Sequence, residues 1–169
     1  VMTRTKVISA ARVGGLWQVT LQHEDGSAET LSARALVNAG GPWVEDVIRN
    51  TVRINSTEGV RLVRGSHIVV PKLYDHDRCY FFQGTDGRII FAIPYEDDFT
   101  LIGTTDQDQD GPPGPVKISE GEVKYLCEFI SGYLKSPVTP EDVVWTYSGV
   151  RPLYDDGAKS ATAATRDYV

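Results

Sequence analysis

Short stretches of alternating apolar and polar residues, each halted by glycine, proline or aspartate, dominate this chain, and that pattern builds antiparallel sheet. Lys6 to Val13 and Leu16 to Gln22 alternate and meet at Gly14-Gly15, and Asp25-Gly26 gives a two-residue hairpin signal before Glu29 to Ser32. Further on, Arg61 to Val63, Ser66 to Val70, Arg78 to Gln83, Arg88 to Pro94, Thr100 to Thr104 and Val143 to Tyr147 read as strands. Asp86-Gly87 and Glu96-Asp97-Asp98 supply turns between them.

Two places break the alternation. The apolar run Ala35-Leu36-Val37-Asn38-Ala39 stops at Gly40-Gly41-Pro42-Trp43, which predicts a strand, a turn and a helix with Val44, Val47 and Ile48 on its apolar face. Ser119 and Glu122 form a capping box, and Val123, Leu126, Cys127, Ile130 and Leu134 follow at helical spacing, with Pro137 and Pro140 beyond. The expected fold class is α+β: a mainly antiparallel sheet lobe carrying one main helix over about residues 119–134.

With 169 residues, 41% apolar and 24% charged, the chain is large enough for one domain or a lobe of a larger one. No apolar stretch approaches the length of a membrane-spanning helix, and no apolar run follows the basic residues of Val1 to Lys6 to make a signal peptide. A net charge of -6 argues against nucleic acid as a partner. Cys79 and Cys127 are expected to be buried reduced thiols, as in a cytoplasmic protein. Asp106-Gln107-Asp108-Gln109-Asp110-Gly111 opens like a calcium loop, but Lys117 stands where a glutamate is needed and Pro112, Pro113 and Pro115 follow. A solvated acidic turn is expected there, and no metal site. The chain opens in mid-strand chemistry and stops at Tyr168-Val169, which reads as a piece of a longer protein that flanking residues would stabilise.

Chemistry concentrates near the end. Gly149-Val150-Arg151-Pro152-Leu153 and Thr165-Arg166-Asp167-Tyr168 place two guanidinium groups among small residues in an acidic chain, as a pocket for a small anion requires. The competing reading is a pair of exposed or weakly ion-paired arginines. His67, after a glycine and a serine at a strand start, is a proton acceptor or a packed histidine. The glycines of Asn38-Ala39-Gly40-Gly41 suit either close approach to a ligand or a tight turn. Thr104 and Thr105 could face a pocket, although threonine in a strand commonly reflects β-propensity. His23 and His76 are read as surface residues, and Trp43, Trp145 and Tyr147 as core or wall.

In order along the chain stand Leu36 to Trp43, Gly59 to Pro71 (with Arg64-Gly65-Ser66-His67), Ile93-Pro94-Tyr95, Leu101 to Asp106, Trp145 to Leu153, and Thr165 to Tyr168. This ordered set resembles the FAD-dependent glycerol-3-phosphate dehydrogenases of the aerobic respiratory type, within the flavoprotein group typified by D-amino acid oxidase. The resemblance implies part of a Rossmann-like FAD-binding domain at residues 1–56, a substrate-binding cap at 57–147 and a return segment into the FAD-binding domain at 148–169. It implies oxidation of glycerol 3-phosphate to dihydroxyacetone phosphate, with electrons passed to quinone by a parent that is cytoplasmic and peripheral on the inner face of the cytoplasmic membrane. Arg151 and Arg166 would contact substrate, His67 would serve its hydroxyl, and Arg151 and His67 would be catalytic. Asn38, Ala39, Gly40, Gly41 and Gly149 would approach the flavin. No Gly-x-Gly-x-x-Gly turn follows an opening strand, so the isolated chain is expected neither to retain FAD nor to turn over substrate. The alternatives are a piece of an amino-acid or sarcosine-type flavin oxidase, and a noncatalytic β-rich interaction module in which Arg151, Arg166 and His67 scatter.

Overall fold

The computed structural model describes residues 1–56, 59–155 and 157. They fall into two compact units, residues 1–60 and residues from 61 onward. Antiparallel sheet dominates both, as an α+β chain requires.

In the first unit, β1 (Thr5–Val13), β2 (Leu16–His23) and β3 (Ala28–Ala33) form an antiparallel meander in chain order. Gly14 and Gly15 both sit at positive φ, 58° and 82°, the twist that a two-residue hairpin turn needs. The second turn is wider than the Asp25-Gly26 signal: His23 N donates to Ser27 O, enclosing residues 24–26, and Asp25 Oδ1 accepts from Ser27 N. Ala10, Val19 and Leu21 bury their side chains against Trp17, Leu36 and Val52.

The predicted strand at residues 35–39 does not form, and Val37 is 84% exposed. A strand needs a neighbour to satisfy its backbone groups, and no described residues pair with this run. The helix after it does form, as a 3₁₀ turn (Gly41–Trp43), one α turn, α1 (Val44–Asp46), and a wider π-type stretch (Val47–Val52). Pro42 lies in its first turn, where its missing N–H costs nothing.

In the second unit, β4 (Val60–Pro71) is the longest strand. The two segments predicted at 61–63 and 66–70 are one strand running through Arg64-Gly65. β5 (Tyr80–Gln83), β6 (Ile89–Tyr95) and β7 (Phe99–Gly103) add antiparallel neighbours in the order β5-β6-β7-β4. The short β8 (Gln107–Asp108) pairs with Val63 and Arg64, and β9 (Trp145–Tyr154) also pairs with β4. β9 runs through residues 147–148 without a break.

The acidic turn at 106–110 is more structured than a solvated loop. Asp108, in β8, accepts Nε and Nη2 of Arg61 at 2.6 and 2.8 Å, and Asp106 pairs with Arg151. These arginines take up two of the turn's three carboxylates, Asp106 and Asp108. Cys127 is buried, but Cys79 is exposed; both are free thiols.

The main helix, α2 (Glu120–Ser131), starts at the predicted capping box, with Ser119 Oγ accepting from Glu122 N and the Glu122 carboxylate accepting from Ser119 N. It covers one face of the sheet. Leu126, Cys127 and Ile130 bury themselves against Ile68 and Val70 of β4, Ile90 and Ala92 of β6, and Ile102 of β7. Among the described residues, no helix is long and apolar enough to cross a membrane.

Candidate active site

Side chains alternate across a strand, so residues 64, 66, 68 and 70 of β4 face α2 while 65, 67 and 69 face the other way. Register carries that second face across the sheet: His67 is opposite Gly103, Gly103 opposite Phe91, and Phe91 opposite Phe81. Phe81, Phe91, Ile93, Trp145 and Tyr147 are exposed on it. Trp145 and Tyr147 are thus walls of an open face, not core, and Trp43 is exposed as well.

His67 and Arg151 share this open face. The imidazole lies flat on Tyr147, with ring centroids 4.7 Å apart and planes within 6°. Gly103 makes room beneath it, since a Cβ there would meet the His67 ring. Burial first, and the Arg151 charge second, push His67 below the ordinary imidazole range, so the ring is neutral near pH 7. Its Nδ1 is buried and has no hydrogen-bond partner among the described residues.

Arg151 reaches over Gly65. Its Nη2 donates to the Thr105 carbonyl at 2.8 Å and to Asp106 Oδ1 at 2.5 Å, while its Nε is buried without a partner. The absent side chain at 65 explains why β4 continues through a glycine: the residue is a window for the guanidinium, not a break. Arg151 is therefore anchored by an ion pair and still retains an unmatched donor. An unpartnered buried donor and an unpartnered ring nitrogen are uncommon in a folded chain, and their occurrence on one face marks it as the candidate site.

Glu122 gave no functional signal beyond its cap, yet it is a buried hub on the helix side, 5% exposed. Its Oε2 accepts from Ser119 N and Oγ and from Arg64 Nη2 at 2.8–2.9 Å, and its Oε1 accepts from Ser66 Oγ at 2.9 Å and Thr105 Oγ1 at 2.7 Å. Burial acts to raise its pKa, but the donors from Ser119, Thr105 and Ser66 prevail and hold the carboxyl below its usual range. Thr105 faces this hub, whereas Thr104 lies beside Gly65 and Arg151.

Asn38, Ala39, Gly40 and Gly41 lie in the first unit, where the bend is held by its own bonds. Asn38 Nδ2 donates to Val44 O at 2.9 Å and Asn38 Oδ1 accepts from Gly40 N at 3.1 Å. A Cβ at Gly40 would crowd Asn38 Oδ1 at 3.0 Å, so the turn alone accounts for that glycine. Gly149 is exposed in β9, and a Cβ there would meet nothing within 4 Å. Arg166 lies outside the described residues. His23 is half-buried and pairs with Glu29, while His76 is exposed and meets the Tyr80 hydroxyl.

The family model described as "FAD dependent oxidoreductase" matches residues 1–168. A glycerol-3-phosphate dehydrogenase of Pseudomonas aeruginosa is 48% identical over 168 residues, covering 99% of this chain and 33% of that protein. A D-erythritol 1-phosphate dehydrogenase of Brucella abortus is 46% identical over 170 residues, covering 100% of this chain and 34% of that protein. Among solved structures, the glycerol-3-phosphate dehydrogenase of Bacillus halodurans, complexed with FAD, superposes with a TM-score of 0.73 at 29% identity, over 93% of this chain and 32% of that one. The chain spans about a third of the length of these relatives.

Proposed function

Because the chain belongs to the FAD-dependent oxidoreductase family, we propose that it forms the substrate-facing middle of a flavoprotein dehydrogenase that oxidises glycerol 3-phosphate to dihydroxyacetone phosphate. The observation that carries this reading is the placement of the Arg151 charge and the neutral His67 imidazole on one open sheet face, over Gly65 and Gly103. The names of the relatives given above, dehydrogenases of phosphorylated polyols, supply the substrate class.

FAD, when bound, accepts the hydride leaving the alcohol carbon. The residues present fit one flank of such a cofactor. The open face is apolar and aromatic, and Gly149 leaves its backbone approachable from that side. The Asn38–Gly41 bend, in the other unit, is a second proposed contact, carried by resemblance. The chain lacks a Gly-x-Gly-x-x-Gly turn, so the pyrophosphate must be held by residues of the longer polypeptide, and the segment alone holds no FAD.

Each of the chain's own residues has a definable task. Arg151 keeps a fixed positive charge beside the substrate and donates to phosphate oxygens, with Arg166 as its partner by resemblance. Asp106 and the Thr105 carbonyl hold one edge of its guanidinium, which limits how far it swings. His67, neutral and clamped by Tyr147, accepts the hydroxyl proton at a ring nitrogen. On this reading electrons go on to quinone, and the full protein sits peripherally on the inner face of the cytoplasmic membrane.

The test uses the full-length polypeptide loaded with FAD. Anaerobic bleaching of the flavin by glycerol 3-phosphate, but not by glycerol or by amino acids, is the expected result. Bleaching by sarcosine or D-amino acids instead would overturn the reading. Bleaching by erythritol 1-phosphate alone would shift the substrate to a longer polyol.

A further inference from the structure

Two carboxylate oxygens of one buried residue do separate work. Glu122 Oε2 closes the helix cap and meets Arg64, whereas Oε1 receives only the hydroxyls of Ser66 and Thr105. Thr105 is held on three sides: its Oγ1 donates to Glu122 and accepts from Ser66 N at 3.0 Å, and its own N donates to Ser66 O at 3.3 Å. Its carbonyl, fixed by those bonds, is what Arg151 Nη2 donates to on the far side of the sheet. Ser66 Oγ also meets Ser148 Oγ at 2.9 Å, tying β9 to the same hub three residues before Arg151.

We propose that Glu122 and Thr105 are positioning residues that set the Arg151 guanidinium from the opposite face of the sheet, and so govern how tightly the substrate phosphate is held. The inference rests on Arg151 being the phosphate contact proposed above. A Thr105 peptide without the hydroxyl's bonds is held to β4 only by the 3.3 Å bond from its N to Ser66 O, and it turns more easily. The carbonyl then no longer opposes Asp106 in fixing the guanidinium. Phosphate binding weakens while the hydride-donating carbon is little affected, so the loss appears in KM and not in kcat.

The decisive variant is Thr105→Val in the FAD-loaded, full-length protein, because valine fills the same space and removes only the hydroxyl's bonds. We expect KM for glycerol 3-phosphate to rise about ten-fold with kcat within about two-fold. The thermal-midpoint rise caused by inorganic phosphate should shrink in parallel, a readout independent of turnover. Thr105→Ser should restore both. Glu122→Gln should act in the same direction, and if it fails to fold, Thr105→Val still decides. Ser119→Ala, which removes a cap bond from Glu122 N and, of the two carboxylate oxygens, reaches only Oε2, should lower the thermal midpoint and leave KM alone. An unchanged KM and unchanged phosphate protection in Thr105→Val would overturn the inference, as would an equal KM shift in Ser119→Ala. Absence of glycerol 3-phosphate oxidation by the wild type would instead defeat the substrate reading and this inference with it. Wild-type turnover with an unshifted Thr105→Val defeats the relay alone.

Discussion

A methyl group placed at position 65 tests whether β4 was left open there for Arg151. The backbone at Gly65 is outside the left-handed region, so alanine meets no conformational penalty. Its Cβ would stand 2.5 Å from Arg151 Nη2, 2.9 Å from Cζ and 2.7 Å from Thr104 Oγ1. The guanidinium is the flexible end of a long side chain and must give way. Its bonds to the Thr105 carbonyl and Asp106 then break. The Arg151 side chain is 35% exposed, so the released group regains water and the stability cost is small, about 1 kcal/mol. That is a fall of a few degrees in thermal midpoint, since about 1 kcal/mol moves a domain of this class by roughly 2–8 °C. Substrate holding suffers far more. A charge-assisted bond to phosphate contributes about 1.5–3 kcal/mol, or roughly 10- to 150-fold in affinity. Gly65→Ala and Arg151→Gln should therefore show similar increases in KM for glycerol 3-phosphate in the FAD-loaded protein, with Gly65→Ala melting only slightly early. If Gly65→Ala keeps the wild-type KM while Arg151→Gln loses it, the window argument is wrong. A stability loss beyond about 3 kcal/mol would also refute it, by making Gly65 a packing position.

Three further outcomes follow from the same geometry. His67 has a folded pKa below 6.5, so the unfolded chain takes up that proton first. Its contribution to stability is complete above about pH 6.5 and erodes as pH falls toward the folded value, and an imidazole NMR titration with a midpoint at or above 6.5 would contradict this. Glu122 is the opposite case, a carboxyl held below 4.5. Its contribution is present above pH 4.5 and lost as pH falls through the folded value, so the urea-stability gap between wild type and Glu122→Gln should narrow in acid, and a pH-independent gap would refute the assignment. Leu126, 0% exposed, fastens α2 to the sheet, so Leu126→Ala should cost about 2–5 kcal/mol by urea unfolding, and a loss below about 1 kcal/mol would place the core elsewhere.

Sequence periodicity alone located the meander, most of the second sheet's strands and the capped helix, because alternation, glycine turns and an N-cap are decided within a few neighbouring residues. The Gly149–Leu153 motif and His67 likewise marked residues that do share a face. Local signals misled wherever the outcome depended on a distant partner. The run 35–39 has the composition of a strand but no ladder to join among the described residues, and Arg64-Gly65 looked like a break until Arg151 crossed it. Tyr147 against His67, Thr105 beneath Arg151 and Ser66 beside Ser148 join residues 80, 46 and 82 positions apart. Sheet register brings such pairs together, and register is set by the packing of a whole face against α2, not by any short stretch of chain. Glu122 shows the division within a single residue: its helix-capping oxygen was legible three positions from Ser119, whereas the oxygen that holds Thr105 acquired its role only when the helix docked on the sheet.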